Sequence, residues 1–143
     1  MRIMGLDYGA RRMGVALSDP DGVFATPLEP IVKKRSGRAE FVRRVCALVR
    51  EHEVERIVLG LPLHMDGRRG PEAEAVEAFG AELEASASVP VAYVDERWTT
   101  AEADRALRDM GARGRKKKAR LDSTAAALIL RTYLERERAT CVS

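Results

Sequence analysis

The sequence has no hydrophobic run long enough to cross a membrane and no segment of the kind that directs export. A membrane-spanning helix needs about 20 consecutive apolar residues, and the chain contains no such run. The first residues, 1–5, lead at once into a polar, glycine-bearing segment, without an apolar stretch and a small-residue cleavage site. We therefore predict a protein of the cytoplasm that has no membrane partner.

Cysteine and histidine are scarce, with two of each in 143 residues. Cys46 lies within a helical pattern and Cys141 lies near the end of the chain, and neither has a thiol or a histidine at metal-ligand spacing. This argues against a disulfide framework and against a structural zinc site. We do not expect His52 or His64 to act as a catalytic base.

The chain is rich in charge and in apolar residues together. Charged residues make up 33% and hydrophobic residues 45% of the sequence, a balance typical of a folded globular protein. The length is that of one ordinary domain, so we predict a single domain over residues 1–143. The net charge is only +3, but residues 113–120 form a basic run in which six of the eight positions are lysine or arginine.

Hydrophobic periodicity predicts an α/β fold with the order βββαβαβαα. The segment 19–22 (Asp-Pro-Asp-Gly) predicts a β-turn, and Ser36 and Thr99 are candidate helix caps. We predict a mixed five-stranded sheet, three antiparallel strands followed by two parallel ones, with helices on both faces. The predicted strands are 2–7, 13–18, Val23 onward, 56–60 and 89–94, and the predicted helices are 36–52, 71–87, 99–111 and one that follows Asp122.

Three acidic residues stand where predicted elements end or begin. Asp7 ends the first strand, Glu96 follows the fifth strand, and Asp122 precedes the last helix. Each has a purely structural alternative, since an aspartate can bond a turn or cap a helix and Glu96 can pair with Arg97. In the predicted topology, however, all three lie at or near one edge, where α/β sheets bind their ligands. We therefore interpret them as one site.

A cluster of carboxylates needs cations. Carboxylates that lie close together repel one another and raise each other's pKa unless positive charge neutralises them. Oxygen ligands suit Mg²⁺ or Mn²⁺ better than zinc, and two such ions about 4 Å apart can support an in-line phosphoryl displacement. We predict that Asp7, Glu96 and Asp122 are catalytic and hold Mg²⁺ or Mn²⁺, with two ions in the site.

Four blocks of the sequence stand in a recognisable order and spacing. They are residues 5–9 with Arg12, Gly14, Ser18 and Asp19; residues 60–63 with Gly67 and Gly70; residues 95–97 with Thr99 and Thr100; and Asp122 and Ser123 with Ala125 and Ala126. Together they resemble the YqgF/RuvX family, and the resemblance spans nearly the whole chain. It implies a ribonuclease-H-like fold and a nuclease that resolves Holliday junctions or processes the 5′ end of pre-16S rRNA, with an acidic site at Asp7, Glu96 and Asp122.

Positive charge indicates where nucleic acid binds. We predict that the basic run is a loop that contacts the phosphate backbone just before Asp122, although a charge run can be only a solvated surface. Trp98 and His64 depart from the family pattern, and Trp98 either stacks on a base or covers the core. The predicted nucleic-acid-binding residues are Arg12, Arg68, Arg69, Arg97, Arg115, Lys116, Lys117 and Lys118.

Two other functions remain open at this point. The chain can be a noncatalytic nucleic-acid-binding factor in ribosome assembly, which keeps the fold and does not cut. An aspartate and glycine before a hairpin also occur in actin-like ATP-binding folds, but those need two such domains around a nucleotide. Within the nuclease interpretation, junction resolution predicts a homodimer with twofold symmetry, whereas pre-rRNA processing is compatible with a monomer.

Overall fold

Eight helices and strands are defined over residues 1–34, 37–95 and 115–142, which a computed structural model describes; side chains in the last range are described for residues 123–139. Most of the predicted elements occur close to their predicted bounds. The elements are β1 (Ile3–Asp7), β2 (Arg12–Ser18), β3 (Ala25–Val32), α1 (Ala39–Glu51), β4 (Arg56–Leu61), α2 (Pro71–Ala87), β5 (Val91–Asp95) and α3 (Arg115–Val142).

The five strands form one mixed sheet in the order β3-β2-β1-β4-β5. β1 pairs with β2, and β2 with β3, in antiparallel fashion. β1 pairs with β4, and β4 with β5, in parallel. The prediction of three antiparallel strands followed by two parallel ones is confirmed. As a result, β1, β4 and β5 all end at the same edge of the sheet, which we call the carboxyl edge.

Helices cover both faces of the sheet, as predicted. On one face, Met4 and Leu6 of β1 pack in a core with Phe41 of α1 and Phe79 of α2. On the other face, a second cluster joins residues such as Val58 to the apolar side of α3. Alternate residues of each strand point to opposite faces, so a strand position also determines which helix its side chain meets.

The turn between β2 and β3 forms where the sequence predicts it. The amide of Gly22 donates a hydrogen bond to the carbonyl of Asp19 at 3.0 Å, and Gly22 has a φ of 70°. The Asp19 carboxylate also accepts hydrogen bonds from the amides of Val23 and Phe24, at 2.7 and 2.8 Å. The amide of Phe24 is the main reason that the pKa of Asp19 lies below its ordinary value.

The prediction of a basic loop before Asp122 is wrong for residues 115–120 of the basic run. α3 begins at Arg115 and contains residues 115–120 of the basic run. Asp122 therefore lies inside the helix and does not cap it. Lysine, arginine, alanine and leucine are all good helix formers, and neither glycine nor proline occurs between Arg115 and Asp122. A cluster of positive charge does not by itself distinguish a helix from a loop.

The structure corrects the start of one further predicted helix and does not describe another. α1 begins at Ala39, later than predicted, and Arg38 occupies the N-cap without a side-chain hydrogen bond. The proposed cap Ser36 and the predicted helix 99–111 lie outside the described residues. Among the helices that are described, none is both long and apolar enough to span a bilayer.

Candidate active site

Asp7 ends β1 at the carboxyl edge and is half-buried. Ile3, four residues earlier on the strand, packs in the core beneath α3. Gly5 also faces α3, because a Cβ on Gly5 would lie 2.7 Å from Cβ of Leu130. By the alternation of side chains along a strand, Asp7 faces the same side. The first predicted acid is therefore directed toward the face that α3 covers.

The close approach of α3 to β1 requires glycine at position 5. A Cβ there would come within 2.9 Å of the carbonyl oxygen of Ala126 as well as meeting Leu130, so helix backbone and strand are in direct contact. Asp122 precedes Ala126 by four residues, which is about one helical turn. The backbone of Asp122 thus lies on the side of α3 that faces the sheet.

Ser123 fixes the start of this contact. Its buried hydroxyl donates to the carbonyl of Leu28 and lies 3.5 Å from the amide of Val15. Val15 is the register partner of Leu6, which immediately precedes Asp7 on β1. The turn of α3 that contains Ser123 is therefore held at the level of the carboxyl edge.

The other end of α3 lies at the opposite edge of the sheet. Arg56 donates a hydrogen bond to the hydroxyl of Tyr133, and Arg56 is the register partner of Ile3 at the start of β1. α3 thus runs antiparallel to β1. Asp122, near the helix start, and Asp7, at the strand end, lie in elements that meet at one edge.

β5 reaches the carboxyl edge on the other side of β4, with Asp95 in register with Leu61. Val94 packs toward α3, whereas the Tyr93 hydroxyl lies over α2 at Gly80. By alternation, Asp95 shares the α2 face with Tyr93, so it does not face the same way as the acid that ends β1. Glu96 is the next residue in the sequence and lies outside the described residues.

The described part of the chain contains no group of three or more histidine, cysteine, aspartate or glutamate side chains placed to hold a metal ion. Of the three predicted ligands, only Asp7 has its side chain within that part. Its oxygen atoms are the kind of donor that Mg²⁺ and Mn²⁺ prefer. The three-acid metal site therefore stays a prediction, with two of its acids on elements that meet.

Two of the predicted nucleic-acid-binding arginines already make ion pairs within the chain. Arg68 pairs with Asp66, with Nε and Oδ2 2.5 Å apart, and Arg69 pairs with Glu77. All four side chains are at least one-third exposed. The amide of Arg68 is also the main cause of a lowered pKa at Asp66. These arginines lie at the carboxyl edge, but each already forms an ion pair with an acidic side chain.

The remaining cations differ in how far the structure describes them. Arg12 opens β2 at the carboxyl edge and lines a groove of about 630 Å³ with Lys34 and Arg44. The residues 115–118 lie in the first turns of α3, where only the backbone is described. Arg97 lies outside the described residues.

Comparison with known proteins identifies the family. A sequence model of RuvX, described as Holliday junction resolvase, matches residues 1–136. The chain belongs to the RuvX family. A relative from Roseiflexus sp. (strain RS-1), named "Putative pre-16S rRNA nuclease", is 41% identical to this RuvX-family chain over 137 residues and covers 96% of each sequence. One of the same name from Streptococcus equi subsp. zooepidemicus is 45% identical, covering 94% of this chain and 98% of the relative.

Solved structures support the fold of the RuvX-family chain. A structure titled as T. thermophilus RuvC in complex with Holliday junction substrate has a TM-score of 0.63 and 16% identity, covering 98% of this chain and 97% of that one. The fowlpox virus Holliday junction resolvase has a TM-score of 0.54 and 13% identity, covering 95% and 99%. The predicted ribonuclease-H-like fold is confirmed.

Sequence reasoning missed two features of this RuvX-family chain near the carboxyl edge. One is the anchoring hydroxyl of Ser123, whose partners on β2 and β3 are more than 90 positions away. The other is a cavity of about 500 Å³ lined by Tyr8, Lys33 and Val76, among others. The ring of Tyr8 stacks on Phe79 with centroids 4.5 Å apart. No local pattern signals contacts of this kind.

Proposed function

We propose that this chain is a metal-dependent endonuclease that hydrolyses phosphodiester bonds in structured nucleic acid. The observation that carries the proposal is the meeting of β1 and α3 at the carboxyl edge, where Asp7 faces the helix and the turn containing Asp122 is anchored by Ser123. Membership of the RuvX family, whose description is that of a resolvase, supports the same reaction class.

In this proposal Asp7, Glu96 and Asp122 hold two Mg²⁺ or Mn²⁺ ions. The ions supply activation of an attacking water and stabilisation of the leaving oxygen. The contact of α3 with the central strand β1 at Gly5 supports this for Asp7 and Asp122, because it holds the backbones of these two residues at one edge without an intervening side chain. Carboxylate oxygens suit hard cations, and the proposed site needs no thiol or imidazole.

The proposed nucleic-acid contacts extend along the same edge. Phosphate groups attract arginine and lysine without regard to sequence, and Arg12 lies in a groove that also contains Lys34 and Arg44. The proposed binding set is Arg12, Arg68, Arg69, Arg97, Arg115, Lys116, Lys117 and Lys118.

Two substrates follow from two separate observations. The family description favours branched DNA, whereas the names of relatives 41–45% identical over nearly the whole chain favour pre-16S rRNA. Cutting a junction symmetrically calls for two sites related by a twofold axis and hence a homodimer, while a monomer suffices to process an RNA end.

The test offers the purified protein labelled four-way DNA junctions, duplex DNA and pre-rRNA fragments, with Mg²⁺, with Mn²⁺, or with a chelator. Asp7→Asn, Glu96→Gln and Asp122→Asn should each lower the cleavage rate about 100-fold or more, because each removes a ligand of ions worth several kcal/mol. Asp21→Asn, an exposed acid in the turn at the opposite edge, should cleave at the wild-type rate. Tight binding with no metal-dependent cleavage of any substrate would instead support the noncatalytic assembly factor.

A further inference from the structure

Met65 is the most exposed of the large hydrophobic side chains that the structure describes, with 89% of its surface accessible. It lies in the segment that joins β4 to α2, between His64 and Asp66. Single exposed apolar residues are common on protein surfaces, so exposure alone assigns no role. The way in which the chain presents this side chain adds further information.

The segment after β4 forms a small hairpin that is braced at its base. Leu63 and Arg69 form an antiparallel bridge, and the amide of His64 donates to the carbonyl of Arg68 at 2.9 Å. The two chain segments on either side of Met65 are therefore held together by backbone pairing. The tip has a fixed direction relative to β4.

The tip itself is a tight turn. The amide of Gly67 donates to the carbonyl of His64 at 2.8 Å, and Gly67 has a φ of 88°, a conformation that favours glycine. The carboxylate of Asp66 accepts hydrogen bonds from the amide and from Nε of Arg68, at 3.1 and 2.5 Å. Met65 thus projects from the outermost part of a turn that is hydrogen-bonded on both sides.

The hairpin extends from the strand at the centre of the candidate active site. β4 lies between β1, which ends at Asp7, and β5, which ends at Asp95 immediately before Glu96 in the sequence. All three strands end at the carboxyl edge because they are parallel. An apolar tip therefore stands between the strands that lead to two of the three proposed metal ligands.

Two cationic side chains follow the tip. Arg68 and Arg69 follow it directly and are 78% and 59% exposed, although each has an acidic partner. Proteins that bend or open nucleic acid often combine basic residues that contact phosphates with an apolar side chain that inserts between bases. The methionine side chain is unbranched and polarizable, which suits insertion between aromatic rings.

We propose that Met65 is a wedge that inserts between neighbouring bases of a branched or structured nucleic acid beside the scissile phosphate. This inference rests on the proposed function for its substrate class and adds the residue that selects a weakly stacked step over regular duplex. Insertion costs less at a branch point or loop, where stacking is weaker, than within a continuous duplex. The wedge therefore discriminates in favour of branched substrates.

The test measures binding and base unstacking in an Asp7→Asn background, so that no cleavage is needed. Met65→Ala should weaken binding to a four-way junction or a looped RNA about tenfold and leave duplex binding unchanged. The fluorescence increase of 2-aminopurine placed at the branch point should be largely lost. Met65→Leu, which keeps an apolar side chain of similar size, should retain both effects.

Phe24→Ala is the matched control, because Phe24 is another large apolar side chain, 71% exposed, in the turn region at the opposite edge. It should bind and unstack the probes as the parent does. Unchanged fluorescence and discrimination in Met65→Ala would overturn the wedge. Failure of the proposed function would look different: wild-type protein would not cleave with metal, while the Met65-dependent fluorescence would persist and would still support the wedge.

Discussion

Gly80 lies in the middle of α2, directly beneath the hydroxyl of Tyr93 on β5. Glycine within a helix costs about 1 kcal/mol relative to alanine, so its presence here calls for a reason. A Cβ on Gly80 would overlap the Tyr93 oxygen and lie 3.0 Å from Cδ1 of Leu59. Burial raises the pKa of Tyr93, and the negative charges of Glu77 and Glu84 raise it further.

Gly80→Ala should lower the free energy of unfolding by about 1–3 kcal/mol because it overpacks this contact. The same change in a Tyr93→Phe background should cost much less, since the overlapping oxygen is gone and alanine favours the helix. Urea denaturation of the four proteins measures both differences. An equal cost in the two backgrounds would show that the Tyr93 hydroxyl is not the obstacle.

Asp19 gives a prediction at acid pH. Its pKa is lowered from 3.8 in the folded state, chiefly by the amide of Phe24, so the ionised form stabilises the turn. Because the folded pKa lies below the unfolded one, this stabilisation is present above the unfolded pKa and is lost as pH falls through the folded value. Asp19→Ala should therefore melt at a lower temperature than wild type at neutral pH, and the gap should narrow in acid.

The control for this prediction is Asp19→Asn, which keeps an oxygen acceptor for the amides of Val23 and Phe24 but has no proton to bind. It should lose less stability than Asp19→Ala at neutral pH, and its difference from Asp19→Ala should not depend on pH. Melting temperatures between about pH 2 and pH 7 provide the measurement. A gap between Asp19→Ala and wild type that stays constant in acid would exclude the carboxylate as its source.

At the scale of elements, α3 is joined to the sheet by polar as well as apolar contacts. The pairing of β2 with β3 shifts register between Met13 and Val15. A shift of this kind leaves backbone groups without ladder partners, and Ser123 contacts the amide of Val15 and the carbonyl of Leu28 at this position. The hydroxyl therefore joins both strands at this irregularity and holds the turn of α3 that contains Ser123 against the sheet.

Ser123→Ala should destabilise the fold by about 1–3 kcal/mol, because a buried carbonyl loses its donor. It should also lower the cleavage rate, since Asp122 is the adjacent residue. Thr132→Val is a matched removal of a hydroxyl from the same helix: the Thr132 hydroxyl donates to the carbonyl of Leu128 within its own helix, so its loss should matter little. Chemical denaturation and cleavage assays compare the two, and equal effects would contradict the anchoring role.

The order of elements could be predicted from sequence because local signals agree with the fold. α2 has its predicted bounds, Pro71–Ala87, since proline suits its first turn and an apolar stripe marks its length. The start of α3 differs from the prediction, because lysine and arginine favour a helix but their charge also suits a loop that binds phosphate. The position of Asp7 at the carboxyl edge follows from the topology. The contacts of Gly5 and Ser123 join residues that are far apart in the sequence, so no local sequence pattern predicts them.

At the scale of the whole molecule, the features proposed to act on nucleic acid gather at one edge of the sheet. The carboxyl edge carries Asp7, the Met65 hairpin and the groove at Arg12. The opposite edge carries the turn around Asp19 and the contact of Tyr133 with Arg56. Ligands of α/β sheets bind at the carboxyl ends of strands, so changes at the opposite edge should affect folding more than cleavage.

α3 reaches both edges of the sheet, so the basic residues in its first turns can be compared with those in its later turns. Its first turns contain Lys116, Lys117 and Lys118, and its later turns contain Arg131 and Arg138. Successive residues of a helix are about 100° apart around its axis. Because the run is helical, we expect fewer than three of these lysines to contact one phosphate backbone.

Replacing Lys116, Lys117 and Lys118 with glutamine should weaken nucleic-acid binding and reduce the dependence of the binding constant on salt concentration. The reduction should be smaller than the loss of three phosphate contacts would cause. Each contact contributes a slope of about 0.9 in log K against log salt on duplex DNA. The matched control replaces Arg131, Arg136 and Arg138, which removes the same charge from the other half of α3 and should leave the slope unchanged. Fluorescence anisotropy at several salt concentrations gives both slopes. A loss of slope that is equal in the two triple variants would mean that net charge, rather than the start of α3, determines binding.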